Sequence, residues 1–215
     1  EVMIGKEIRK CINEGICTRE DLFIIGKLWN DQHDSVKDAC QISIDALQVD
    51  YLDMYLVHWP VVYKDGERFD ADVLTVFSKM KELEGNLCKN VGVSNFKIEH
   101  LEKIKHLKPT INQIELHPYF QQNELREYCD KNMINIMAYS PMSKDALVDE
   151  QICKIANDHE CSSSAVILSW ILNTGAAVAI KSVSHMEENL DSNFILSERE
   201  ISSIKDKNIR IIQER

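Results

Sequence analysis

The sequence predicts an α/β fold of the (β/α)8 TIM-barrel class, built as one domain over residues 1–215. Three observations point there. Short apolar segments alternate with helical patterns along the whole chain, as parallel crossover units do. Polar residues recur where those apolar segments end: Lys27, His58, Ser94 with Asn95, Gln113 with Glu115, Tyr139 with Ser140, and Lys181 with Ser182. A barrel gathers its chemistry at the carboxyl ends of its strands. Finally, no G-x-G-x-x-G follows any strand, although a dinucleotide-binding open sheet would carry one near its first turn. The unit length alone, roughly 25 to 35 residues, suits an open doubly wound sheet equally well.

Each element has its own reason. Ile4, Ile8 and Ile12 repeat at helical spacing over 2–13, and "LFIIGKLW" at 22–29 reads as a strand. Residues 33–47 are helical. The next strand runs from 51 to 58 and closes on "YLVHWP", where Pro60 cannot continue a ladder and leaves His58 at the strand's end. Helix is expected over about 72–84, strand over 90–95 ("NVGVSN"), helix over about 97–105 and strand over 111–116 ("INQIEL"). A helix at about 122–131 and a strand at 134–140 ("INIMAYS") follow, then helices at 149–158 and 162–173. A last strand at 176–181 ("AAVAIK") precedes helices near 185–191 and 198–206, and 62–70 and 142–149 read as short loops.

Composition narrows the function classes. With 44% hydrophobic residues the chain can bury one sizeable core, and its net charge of -10 argues against a nucleic-acid backbone or an anionic membrane as partner. The apolar runs are strand-sized, too short for a membrane span or a signal-peptide core. Seven cysteines, odd in number and without a C-x-x-C pair, suit free thiols in a reducing cytoplasm better than disulfides or a zinc site. The expected protein is thus cytoplasmic, without a metal site and without a nucleic-acid or membrane partner.

"GKLWN", "DYLDMYLVHWP", "NVGVSNF", "INQIELHPY", "AYSP" and "AIKSVSHMEENL" together resemble the successive motifs of the aldo-keto reductases, in order and from Glu1 to about Ile204. The resemblance implies an oxidoreductase of the aldehyde-reductase type. NADPH would give a hydride to an aldehyde or ketone carbon while a tyrosine protonates the oxygen. Lys27 matches the family's catalytic lysine, whose charge lowers that tyrosine's pKa, and His58 its catalytic histidine, which polarises the carbonyl. Ser94, Asn95 and Gln113 match the trio that binds the nicotinamide carboxamide, and Tyr139 the ring on which the nicotinamide stacks. Ser140 matches a pyrophosphate contact, with Met142 beside it where a leucine is commoner. Lys181 and Ser182 match the binders of the adenosine 2'-phosphate, Glu188 and Asn189 the adenine-end pair. Trp29 and Trp59, with His58, match the walls of the substrate pocket.

Several positions depart from the family pattern. His185 stands in a shortened loop where a family arginine clamps the 2'-phosphate, so preference for NADPH rests mainly on Lys181. The family's catalytic tyrosine and the aspartate paired with the lysine match no residue here, the first tyrosine being Tyr51. The expectation is a native polypeptide extending about 45 to 50 residues before Glu1, with two further strands and an Asp-x-x-x-x-Tyr near their end. Residues 1–215 alone would then be an inactive fragment, insoluble or molten. A noncatalytic barrel of the same ancestry, serving as a nucleotide-sensing or structural subunit, is the alternative function.

Overall fold

The computed structural model describes residues 1–181, 184–190, 192 and 194–212. They fall into two compact units, Glu1–Asn112 and Gln113–Arg215. The first opens with α1 (Val2–Asn13), followed by β1 (Ile25–Leu28), α2 (Val36–Leu47), β2 (Leu52–Val57), β3 (Val61–Lys64), β4 (Glu67–Asp70), α3 (Val73–Lys81), β5 (Cys88–Ser94) and α4 (Ile98–Ile104). A single 3-10 turn, Lys105–Leu107, leads into β6 (Ile111–Glu115), which runs on into the second unit. There follow α5 (Asn123–Lys131), β7 (Asn135–Tyr139), α6 (Lys144–Leu147), α7 (Glu150–Asp158), α8 (Ser163–Asn173), β8 (Ala177–Ala179), α9 (Met186–Leu190) and α10 (Glu198–Ser203).

In the first unit the strand order is β1-β2-β5, and both pairings are parallel. The register sets Leu28 level with Val57, and Val57 level with Val93. Every residue of β2 is buried, which is why its sequence reads as an unbroken apolar run despite Asp53. In the second unit β7 pairs with β8, also in parallel. Helix ends carry their own signals: Asp72 accepts from the Thr75 amide, Asp149 from those of Gln151 and Ile152, and Ser197 forms a capping box with Glu200. α8 is apolar on all sides and mostly buried, as a helix without a solvent face should be.

Two expectations need correction. The stretch 62–70 is not a plain loop: β3 and β4 form an antiparallel hairpin, with Lys64 opposite Glu67. Asp65 and Gly66 both have positive φ, 53° and 81°, the two-residue turn whose twist suits a hairpin. The stretch 142–149 contains α6, a single helical turn begun after Ser143.

Gly92 illustrates how tightly the strands pack beneath the site. A Cβ there would lie 2.7 Å from both the Ile111 Cγ2 and the Ile111 carbonyl oxygen, and 2.9 Å from the Leu56 Cδ2. A backbone carbonyl cannot swing away, so Gly92→Ala should destabilise the protein by about 1–3 kcal/mol. Denaturant unfolding measures this; a variant as stable as the parent would show that β5 and β6 can separate at no cost.

Candidate active site

The carboxyl ends of β1, β2 and β5 bring the first unit's candidate residues together. Alternate residues of a strand share a face, and with Lys27 level with Leu56, and Leu56 with Gly92, the side chains of Lys27, His58 and Ser94 project to one side. The His58 amide donates to the Leu28 carbonyl at 3.1 Å, extending the β1–β2 pairing by one residue to the rim. Trp29, 40% exposed, stands edge-on to the His58 imidazole, ring centroids 4.9 Å apart at 72°. Trp59 is buried.

Asn95 ties this corner together. Its side-chain amide donates to the His58 carbonyl at 3.0 Å and to the Ser94 hydroxyl at 3.1 Å. It does so from a left-handed backbone, φ 63°, which asparagine tolerates better than most residues. The next residue is fixed by a fully buried side chain that the sequence did not single out. Asn112 donates to the Phe96 carbonyl at 2.9 Å and accepts from the Phe96 amide at 3.4 Å. A side-chain amide matching both polar groups of one backbone residue holds the turn after β5, and with it Ser94 and Asn95.

The electrostatics follow from burial. Desolvation lowers the Lys27 pKa, and no described carboxylate pairs with its ammonium. The imidazole of His58 is pulled down to about 4, first by burial and then by the Lys27 charge. At neutral pH it is therefore an uncharged ring with an N–H to donate, and neither ring nitrogen is engaged by a described residue.

The second unit carries the remaining candidates. Gln113 is buried on β6, its amide donating to the Met137 sulfur on β7 at 2.8 Å. Tyr139 ends β7 half-buried, its phenol pushed up to about 12 by burial and then by the Glu115 charge. Ser140 follows in a left-handed conformation, φ 50°, costly for a serine and the kind of strain that gathers at ligand sites. Met142 is half-buried and Lys181 is exposed just beyond β8. Ser182 lies outside the described residues. On α9, Glu188 accepts from the Ser164 hydroxyl at 3.0 Å and meets the His185 ring at 3.1 Å, while the Asn189 amide donates to the His185 carbonyl at 3.0 Å. The Ser162 hydroxyl, then that of Ser164 and the His185 ring, hold the Glu188 carboxyl below its usual range. Among the described residues there is no cluster able to hold a metal ion, and all seven cysteines are free thiols.

A lysine and a neutral histidine thus stand at the carboxyl ends of adjacent parallel strands, where barrels of the α/β class gather their chemistry. The chain belongs to the aldo/keto reductase family, whose model matches residues 1–209. It is 38% identical to an aldose reductase of Encephalitozoon cuniculi, over 95% of this chain and 75% of that protein. It is 36% identical to a glyoxal reductase of Bacillus subtilis, over 90% and 71%. Its structure is similar to that of a Bombyx mori aldo-keto reductase solved in complex with NADP: TM-score 0.93 and 31% identity, covering 99% of this chain and 76% of that one. The aldose reductase of Schistosoma japonicum gives a TM-score of 0.92 at 29% identity, over 98% and 77%. The fold class and family expected from the strand ends and motifs are thus borne out.

Proposed function

We propose that the protein is a cytoplasmic, monomeric NADPH-dependent reductase that converts an aldehyde or ketone into an alcohol. The observation that carries this reading is His58: a neutral, half-buried imidazole beside a lysine, at the rim of adjacent parallel strands. The chain's residues fit a nicotinamide nucleotide. Ser94, Asn95 and Gln113 offer hydroxyl and amide groups to a carboxamide, Tyr139 an aromatic ring, and Lys181 an exposed cation to a 2'-phosphate. Bound NADPH would supply the hydride that adds to the carbonyl carbon.

The chain's own residues do the rest. His58 donates its N–H to the carbonyl oxygen, orienting the substrate and stabilising negative charge as it develops there. Lys27 keeps a positive charge on the same face, favouring any anion formed beside it. Trp29 offers an apolar edge to the organic part of the carbonyl compound. Tyr55 cannot give the proton that completes the alcohol. It projects to the opposite side of β2 from His58, and burial, ahead of neighbouring thiols and carboxylate, drives its phenol pKa far up. On the family resemblance the donor is a tyrosine that no position of this chain matches.

Two measurements test the reading. NADPH should be consumed in the presence of a generic aldehyde and not in its absence. By fluorescence quenching, NADPH should bind more tightly than NADH, and Lys181→Ala should weaken NADPH about tenfold while leaving NADH unchanged, the worth of one charge-assisted contact at an exposed site. Equal affinities for the two nucleotides would take the 2'-phosphate away from Lys181.

A further inference from the structure

Residues 204–212, which follow α10, have no regular secondary structure, yet they are held down along their length within the second unit. Gln121 donates to the Ile204 carbonyl at 3.0 Å, and the Ile209 amide donates to the Tyr119 carbonyl at 2.8 Å. The Lys207 ammonium stands 3.6 Å above the Tyr119 ring and 3.4 Å from the Asp149 carboxylate, which also accepts the Tyr119 hydroxyl at 2.6 Å. Asp149 caps α7 as well, so one carboxylate joins the tail to the start of a helix.

The far end of this segment meets Glu115, the last residue of β6. Its carboxylate is wholly buried and accepts from two successive tail amides, Ile211 at 2.5 Å and Ile212 at 3.1 Å. The Arg210 guanidinium lies 3.8 Å away, and behind the carboxylate stands the buried His117 ring at 3.2 Å. A buried carboxylate is tolerable only where donors surround it, and most of these belong to the tail. Apolar burial anchors only the start of the segment, at Ile204; Ile209 and Ile211 are 44% and 43% exposed. Beyond Ile204 the grip is polar, and most of its donors converge on Glu115.

We infer that residues 204–212 are a detachable strap across the carboxyl end of β6 and that Glu115 is its latch. Glu115 shares a face of β6 with Gln113, two residues before it, so the strap crosses the end of the strand that carries a candidate ligand group. The latch works because an ionised carboxylate attracts consecutive backbone N–H groups, a geometry that a neutral amide of the same shape reproduces poorly.

Limited proteolysis with trypsin reads the strap directly, because Lys205, Lys207 and Arg210 are exposed cleavage points within it. Glu115→Gln should accelerate cleavage there by about tenfold or more, since cutting tracks the population of the open form. Cleavage after Lys131 and Lys154, on α5 and α7, should keep its original rate, whereas a general loosening would raise all of them. Ile211→Pro removes one of the donated amides from the strap side and leaves β6 intact, so it decides the matter if the Glu115 variant fails to fold. It should give a comparable acceleration, and the double variant should add little, the mark of two changes acting on one contact. Unchanged strap cleavage in Ile211→Pro, a uniform rise at all sites, or two effects that multiply would each overturn the assignment.

Discussion

His58→Ala is expected to lower kcat/KM for aldehyde reduction by at least about a hundredfold while leaving NADPH affinity nearly untouched. The imidazole lies at the rim beside Trp29, and its amide and carbonyl are already committed to Leu28 and Asn95, so only the ring is lost on truncation. With its pKa held near 4, the ring should also show no titration between pH 5 and 8, in contrast to an ordinary histidine. The sign for stability follows. Above the unfolded value near 6.5 neither state carries charge and His58 contributes nothing; as the pH falls from there through about 4, the unfolded chain takes the proton first and stability is lost. NMR titration of the imidazole with steady-state kinetics of the variant checks both parts. A variant that reduces aldehydes at parental efficiency would return His58 to a packing role.

Asp53→Ala should be the most damaging single change away from the rim, costing about 3–5 kcal/mol of stability. The carboxylate is 4% exposed at the amino end of β2, accepting from the Arg19 guanidinium at 2.8 Å, the Ile24 amide at 2.9 Å and the Lys89 ammonium at 3.0 Å. Arg19 and Lys89 both lie over the Tyr51 ring, at 3.9 and 4.3 Å. Truncation leaves a nearly buried guanidinium and a backbone N–H without their acceptor; the Leu22 and Tyr51 carbonyls, each still bonded to Arg19, keep the loss toward the lower figure. Burial alone would raise the Asp53 pKa, but these donors outweigh it and hold it below the usual aspartate range. Its contribution is therefore full above about pH 4 and disappears as the pH drops through the lowered value. Urea unfolding at neutral pH gives the number; a loss under 1 kcal/mol would mean that water replaces the carboxylate freely.

The parallel strands were legible because buried strands read as apolar runs, and His58 and Lys27 because each interrupts such a run at its end. Boundaries were less so. The stretch 22–29 looked like one strand, yet β1 begins at Ile25: Phe23 is 63% exposed, and the Ile24 amide is spent on Asp53. α6, four residues long, is too short for any period to register. The hairpin of β3 and β4 does carry a signal, Asp65-Gly66 between two short strands, although its length alone reads as a loop. The contacts that escaped sequence reading join distant positions. Glu115 and Ile211 are 96 residues apart, Arg19 and Asp53 34 apart, and nothing local in either sequence marks the partner.

The same hairpin offers a practical foothold. It is a sheet of two strands, with its tip at Asp65 and Gly66 exposed to solvent. Its base is anchored beside the candidate site: the Tyr63 amide donates to the Asn30 carbonyl at 3.1 Å, and the Ala71 amide to that of Pro60, also at 3.1 Å. Loop tips built from small polar residues accept inserted sequence readily. A short tetracysteine or epitope tag spliced between Asp65 and Gly66 would therefore leave the parallel strands alone, while the hairpin's start at Val61, three residues past His58, would let a fluorophore at the tip report occupancy of the rim.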